Sequence, residues 1–500
     1  MRPSTGAIKL IVLTSIWLGL VSPLPSPEKG KDVDPDVITR DVAIIGGGAS
    51  GTYAAVRLKQ LGQSVVLVEQ EDHLGGHTNT YDDNGTPIDY GVWVYSNTTE
   101  ARNFFAYLNI PTTVQNLSRD PNRTQRYDFR SGEFVAPPSG NVTEAMMRYV
   151  LLLLQHPYLE NGWDLPDPVP EDLLLSFRDF IEKYDLAAAA ETLRLYVQGL
   201  GEILDCPTVY IMKYFNFNVV QGIQSGFLRP ASLDNSEAYR AATANLGDDL
   251  LPSSTILQMN RSNPDNDDND DNKASVTPDS PQTILVRTPS GLKTIQASKI
   301  FITVPPILSN LNAFDLDARE SQIFAKFRAT TYTTSILQMT GLPRTVQFLN
   351  SGIDTPFNIP PIPGTYIFLP TTNPSLRIAY LGGDGNNNNS NNKTGEGGEG
   401  GDGEEALPFD TVKRIMTDNA LSLRNAGYDV SVPEIRAYAN HYPFGLRVSA
   451  AEIAGGFYRD LYALQGYRDT YYSGAAFHAH DSGALWRFTE RVIGEYGLAR

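Results

Sequence analysis

Residues 41–51, Asp-Val-Ala-Ile-Ile-Gly-Gly-Gly-Ala-Ser-Gly, constrain the fold more than any other stretch. They predict a buried strand, a glycine turn and the start of a helix running through Ala54, Ala55, Val56 and Leu58. A second strand follows over 64–68 and ends at Glu69. Gly46, Gly48 and Gly51 stand in G-x-G-x-x-G order. The first glycine permits the turn, the second lets a pyrophosphate approach the backbone, and the third lets helix and strand pack closely. Gly46, Gly48, Ala49, Ser50 and Gly51 are thus predicted to cradle a dinucleotide against a helix N-terminus, whose free N–H groups favour anions. Glu69 closes the second strand, where a carboxylate accepts hydrogen bonds from a ribose. The blander reading, a tight βα turn that binds nothing, lacks a reason for the acid and the strand order.

The next residues bear on which dinucleotide. The run Leu74-Gly75-Gly76-His77-Thr78-Asn79-Thr80 resembles the extended flavin fingerprint of the FAD-dependent amine oxidase family, a Gly-Gly-Arg-x-x-Thr turn, with His77 in place of arginine. Ile88-Asp89-Tyr90-Gly91 resembles that family's Asp-x-Gly segment. The C-terminus carries a second likeness. Residues 470–476 read as a strand entering a small-residue turn, and His478-Ala479-His480-Asp481-Ser482-Gly483 leads into a helix over 484–496. The resemblance implies that Gly474 touches the cofactor and that the following helix, N-capped by Asp481 or Ser482, faces the flavin pyrimidine. Ala475 and Ala476 depart from the acid usual there. The resemblance implies FAD, with Gly75, Gly76 and His77 near its phosphates. The chain is most similar to the fungal β-cyclopiazonate dehydrogenase group. The expected fold is α/β: a Rossmann-type FAD-binding domain (40–115, 232–306 and 466–498) interleaved with a mixed-sheet and helical substrate domain (116–231 and 307–465).

The remaining chain fits that plan. Helices are expected around 143–154, 173–180, 187–204, 207–215, 234–246 and 408–426. Strands are expected at 256–260, 284–288, 292–297, 299–304, 334–339, 366–369, 376–381 and 435–442. The resemblance assigns the 256–260 strand to the adenine side of the nucleotide domain. Two polar inserts, 262–281 and 384–406, have the composition of disordered segments. A net charge of −17 argues against nucleic acid as a partner. Residues 1–25 read as a signal peptide, with an apolar run too short for a membrane span. Sequons at Asn97, Asn116, Asn122, Asn141, Asn260, Asn388 and Asn392 accord with a secreted, N-glycosylated protein. Cys206, the single cysteine, excludes an intrachain disulfide and is expected to be a small buried residue.

For chemistry, the resemblance implies hydride transfer from a small organic substrate, an amine or another metabolite, to flavin N5, with oxygen as a possible acceptor. Aromatic walls suit a neutral amine; Tyr442, Phe444 and Tyr472 are the candidates. The lysine that many amine oxidases place near N5 is replaced by Thr333 or Thr334. His77, His441, His478 and His480 are the candidate points of covalent flavin attachment. His478 and His480 form an H-x-H pair, but no third ligand cluster accompanies them, so no metal is expected. Two other functions stay open: an isomerase or desaturase acting on an apolar substrate, and a decayed flavin fold that only binds.

Overall fold

The computed structural model describes residues 36–117, 123–261, 281–384 and 406–499. The expected signal peptide, nearly all of both polar inserts, and the sequons at Asn122, Asn388 and Asn392 lie outside the described residues. Among the described residues no helix is long and apolar enough to cross a membrane.

A buried parallel strand pair opens the fold. Strand β1 (Asp36–Ile45) pairs in parallel with β2 (Val65–Val68), and helix α1 (Ala49–Gln60) crosses between them. Residues 42–45 and 65–68 are continuously apolar and buried, as a strand covered on both faces requires. On its other side β1 pairs with Gly291–Ile302. That strand is the hub of the sheet: its first half pairs antiparallel with Gln282–Thr288, and its last three residues pair in parallel with Thr470–Tyr472. The two ends of the chain therefore meet side by side in one seven-stranded sheet.

The adenine-side expectation is overturned. The strand Thr255–Asn260 lies at the far edge of this sheet, beyond Gln282–Thr288. The chain beside β2 is instead the two-residue strand Leu250–Leu251. Glu69 donates its N–H to the Leu251 carbonyl (3.0 Å) and accepts at its own carbonyl from Ser254 N–H (2.8 Å). Gly247, at φ +54°, ends the preceding helix Ser236–Leu246 and turns the chain into that place. Two residues are too few to show a strand period.

A second seven-stranded sheet runs, edge to edge, through Glu434–Asn440, Arg328–Gln338, Leu376–Asp384, Gly364–Pro370, Gln347–Asn350 and Thr124–Tyr127, with Phe444–Arg447 also pairing with Arg328–Gln338. Its two faces differ. Leu337, Ala379 and Leu381 pack with Val412, Ile415 and Met416 of the helix Phe409–Ser422. Ile336, Ile378 and Tyr380 pack with Ile88 and Tyr90, at the end of the Thr80–Asp83/Thr86–Asp89 hairpin.

The expected helix over 187–204 is broken. A 3-10 turn (Ala187–Ala189) leads into Ala190–Tyr196, after which Gly199 (φ +84°) and Gly201 (φ +70°) take left-handed conformations. The chain there lies against the second sheet: Thr330 donates its hydroxyl to the Gly199 carbonyl, and a Cβ on Gly199 would come within 2.4 Å of the Phe444 ring. The two glycines were visible signals of the break. A similar interruption at Leu175 and Ser176 separates Glu171–Leu174 from Phe177–Lys183.

Candidate FAD site and imidazole-lined channel

The turn after β1 is shaped by what glycine leaves out. Gly46 sits at φ +98°, and its N–H donates to Val68 O (2.9 Å), tying the turn to β2. A Cβ on Gly51 would stand 1.8 Å from Gly46 O, so α1 approaches the strand only with glycine there. Across a slot, Gly76 (φ +54°) faces Gly48, and a Cβ on Gly76 would lie 3.0 Å from the Gly48 Cα. Gly75, at φ +131°, donates its N–H to Gly47 O (2.9 Å) and so fixes the second glycine turn onto the first.

The donors that line this slot suit a pyrophosphate. Gly48 is the N-cap of α1 and supplies no side chain, and the first turn of α1 holds no acidic residue. Ala49 and Ser50 open that helix, and the buried Ser50 hydroxyl has no partner among the described residues. Glu69 is held for a ribose: its Oε2 accepts from Gly47 N–H (2.5 Å) and its Oε1 from Glu71 N–H (2.8 Å). Each oxygen keeps a lone pair for a diol. These groups fit a flavin dinucleotide.

The C-terminal segment closes the slot. Gly474 (φ +118°) packs beside Thr303, whose hydroxyl lies 2.9 Å from both Ile45 O and Gly46 O. Asp481, not Ser482, is the N-cap of the last helix, Ser482–Gly494. Its Oδ1 accepts from Gly483 N–H (2.9 Å) and Ala484 N–H (3.2 Å), and its Oδ2 from the Ser96 hydroxyl (2.6 Å). Two N–H groups expected to be free for a ligand are thus already taken. Trp486 donates Nε1–H to Ala49 O (3.0 Å), locking this helix to α1.

Where the two sheets meet, three imidazoles gather. The His77 ring centre is 4.5 Å from His441 and 5.6 Å from His480. Phe444 stacks on His480 at 3.8 Å and lies 4.9 Å from Tyr332. Tyr214 touches His480 from the other side at 5.5 Å. His77, His480, Tyr214 and Tyr332 are enclosed by protein, yet each keeps accessible surface. They border an internal channel. Backbone contacts set two of the rings: His441 N–H donates to Tyr332 O (2.9 Å), and His480 Nε2 accepts from Gly445 N–H (3.3 Å). His480 therefore carries its proton on Nδ1.

Burial lowers the His77 imidazolium to about 4. His441 and His480 fall well below the usual value, by burial first and then by repulsion from the neighbouring imidazoles. All three are neutral at pH 7.

Several expected positions resolve here. Thr334 is the residue on the channel side of its strand, with its hydroxyl 3.2 Å from His441 Nε2. Thr333, one residue earlier, points to the opposite face, as strand alternation requires. Phe444 lines the channel. Tyr442 is half-buried beside it, with its backbone N–H donating to Asn440 Oδ1 (3.0 Å). Tyr472 is not a wall of this channel: it is buried within the first sheet and donates its hydroxyl to Glu320 Oε1 (2.9 Å), inside an ion cluster with Arg261 and Arg468. An apolar β-strand position with a buried acid beyond it gave no sequence sign of that partner. The H-x-H pair diverges: His480 faces the channel, whereas His478 turns to Lys213 and the Glu160 carbonyl. Cys206 is buried, and burial raises its thiol. Tyr214 and Tyr332 are channel residues that the sequence reading missed, because nothing local distinguishes them from core aromatics.

Residues 44–110 match the family model of the NAD(P)-binding Rossmann-like domain. Over 496 residues the chain is 35% identical to the FAD-dependent oxidoreductase pigF of Monascus ruber, covering 97% of this chain and 98% of that protein. The chain belongs to this family of FAD-dependent oxidoreductases. Its relatives include the beta-cyclopiazonate dehydrogenase of Aspergillus flavus, 32% identical over 92% of this chain and 93% of the other. Among solved structures, the CLA-producing fatty acid isomerase from P. acnes superposes with a TM-score of 0.69 at 18% identity, over 92% of this chain and 99% of the isomerase. Putrescine oxidase bound to putrescine gives 0.58 at 16% identity, over 92% and 99%. These likenesses carry the fold, that of the flavin amine oxidases. The oxidoreductase thus uses FAD, and the glycine slot, Glu69 and the Gly474–Asp481 turn are the residues that fit it.

Proposed function

We propose that this FAD-dependent oxidoreductase is secreted and oxidises a small organic metabolite in its uncharged form, an amine or a comparable neutral molecule. One observation carries the substrate reading. The channel is walled by neutral imidazoles and by Phe444, Tyr332 and Tyr214, with no ammonium or carboxylate in ring contact with them among the described residues. A cationic substrate would lose its hydration there without a counter-ion, which is strongly unfavourable. FAD, when bound, supplies a hydride acceptor at N5. The substrate loses a hydride and a proton together, and a neutral imidazole can take the proton. His441 is best held for that task, between the Tyr332 carbonyl and the Thr334 hydroxyl.

Anaerobic addition of candidate substrates to the purified holoenzyme, followed at the visible flavin band, tests this reading. Uncharged aromatic or alicyclic amines are expected to bleach the flavin, and a dication such as putrescine to leave it unchanged. The reverse order would overturn the proposal. H441F is expected to lower kcat/KM by about 100-fold, a usual size for a lost proton acceptor.

The same uncharged lining favours a second reading, isomerisation or desaturation of an apolar substrate. Stoichiometric peroxide in air marks net oxidation with oxygen as acceptor; turnover without peroxide marks the alternative. A flavin that no substrate reduces would point to a binding protein. Secretion is supported by the sequon asparagines Asn97, Asn116, Asn141 and Asn260, which are all exposed. Expression with the native leader should put the protein in the medium, and endoglycosidase should reduce its mass. Retention in cells at unmodified mass would remove this part of the proposal.

A further inference from the structure

Lys213 has no exposed surface, yet it plays no part in the channel chemistry above. It stands on the helix Thr208–Tyr214. Its Nζ donates to Leu159 O (2.6 Å), to Gly162 O (2.8 Å) and to His478 Nδ1 (3.3 Å), and it lies 5.0 Å from the centre of the Trp163 ring. Three N–H groups meet three acceptors, so the ammonium is fully satisfied. Because His478 accepts at Nδ1, its proton is on Nε2, which donates to Glu160 O (3.0 Å). The nearby Glu160 carboxylate is engaged elsewhere, by Phe217 N–H (2.9 Å) and Asn218 Nδ2 (3.2 Å). A buried cation without a carboxylate in contact is costly, and a core of this size could have used a leucine.

What Lys213 braces is the turn at the channel. His478 and His480 are two residues apart and point to opposite sides. Lys213 grips the first, and the next residue of its helix, Tyr214, touches the second. Asp481, which caps the last helix, follows directly. Tyr462 ties the same two segments together, accepting from Trp163 N–H (2.8 Å) and donating to Phe477 O (2.7 Å).

We propose that Lys213 is a positioning residue for the FAD site: through His478 it sets the turn that presents His480 to the channel and Asp481 to the last helix. The proposal rests on FAD binding and not on any substrate. It therefore stands or falls separately from the function proposed above.

The test compares K213M, H478F and H478N with the wild-type holoenzyme. K213M removes the donor and H478F the acceptor. In H478N the amide oxygen can take the place of Nδ1. Three quantities are read: the dissociation constant for FAD, the visible flavin spectrum, and the flavin midpoint potential. K213M and H478F are expected to bind FAD about tenfold more weakly, the scale of one lost hydrogen bond to a charged group. Both should show the same shift in spectrum and potential, and H478N should stay near wild type. A K213M protein with lowered melting temperature but wild-type spectrum, potential and FAD affinity would overturn the proposal and leave a purely structural lysine. If K213M does not fold, H478F decides alone: wild-type spectrum and potential would overturn it. H478N behaving like H478F would also overturn it, since the coupling would then not run through the acceptor that asparagine preserves.

Discussion

Replacement of Gly51 by valine is expected to give a protein that carries no FAD. The third glycine of the cradle is the position where a side chain is least tolerated: even a Cβ would sit 1.8 Å from Gly46 O and 2.7 Å from the Thr303 hydroxyl. Those are not soft neighbours. Gly46 O is backbone, and Thr303 is the residue that joins the first glycine turn to the hub strand. To admit the side chain, α1 must move off β1, carrying away Ala49, Ser50 and the helix N-terminus that faces the pyrophosphate. Overpacking of a tight core costs about 1–3 kcal/mol or more. Here the displacement also removes the anion site, so FAD affinity should fall by at least about 100-fold, equivalent to ~3 kcal/mol. The ratio of visible to ultraviolet absorbance in the purified protein reads the result directly. G494A is the control. Gly494 ends the last helix, nothing lies within 4 Å of its added Cβ, and alanine is the better helix former. It should retain full flavin and melt no lower than wild type. Full flavin in G51V would mean that the dinucleotide is not held at this turn.

The contrast between what the sequence revealed and what it hid has a physical basis. Local chemistry was legible. The glycines at 46, 48 and 51 must be glycine for reasons contained within thirty residues, and Glu69 closes the next strand. The Asp481 cap was legible too, because capping acts over three residues. Long-range chemistry was hidden. His77, His441 and His480 are separated by hundreds of positions, and only the packing of one sheet against the other brings them within ring contact. Tyr472 stood beside a cofactor glycine in sequence, but strand alternation turned it away, toward Glu320 on a distant helix. The choice between Thr333 and Thr334 needed only the strand register, which pairs Thr334 with Tyr380 and places it with His441. The broken helix at Gly199 and Gly201 was a readable signal, overridden by the apolar run that precedes it.

The buried histidines make stability fall on the acid side. His77, His441, His478 and His480 are all lowered by burial, His77 to about 4 and the others well below their usual value. In the unfolded chain each recovers a value near 6.5. Between these values the unfolded state binds protons that the folded state refuses, so stability is complete above about 6.5 and is lost as pH falls toward 4. Integrated from pH 7 to pH 5, each such group contributes about 2 kcal/mol. Asp89, Glu160 and Glu202 act in the opposite sense, because burial raises their carboxyls and the folded state takes up protons there first. Their effect lies mostly at lower pH, nearer their ordinary range, so the histidine loss dominates the first two units of acidification. A net loss on the order of 5 kcal/mol, a large part of a typical domain's stability, is expected by about pH 5. Urea midpoints of the holoenzyme at pH 7, 6 and 5 read this slope, with flavin release as a second signal. Replacing His441 by phenylalanine should flatten it by about one quarter, since one of four groups no longer titrates. An unchanged midpoint down to pH 5 would mean that water reaches these imidazoles, and the channel could then no longer be treated as a site that refuses charge.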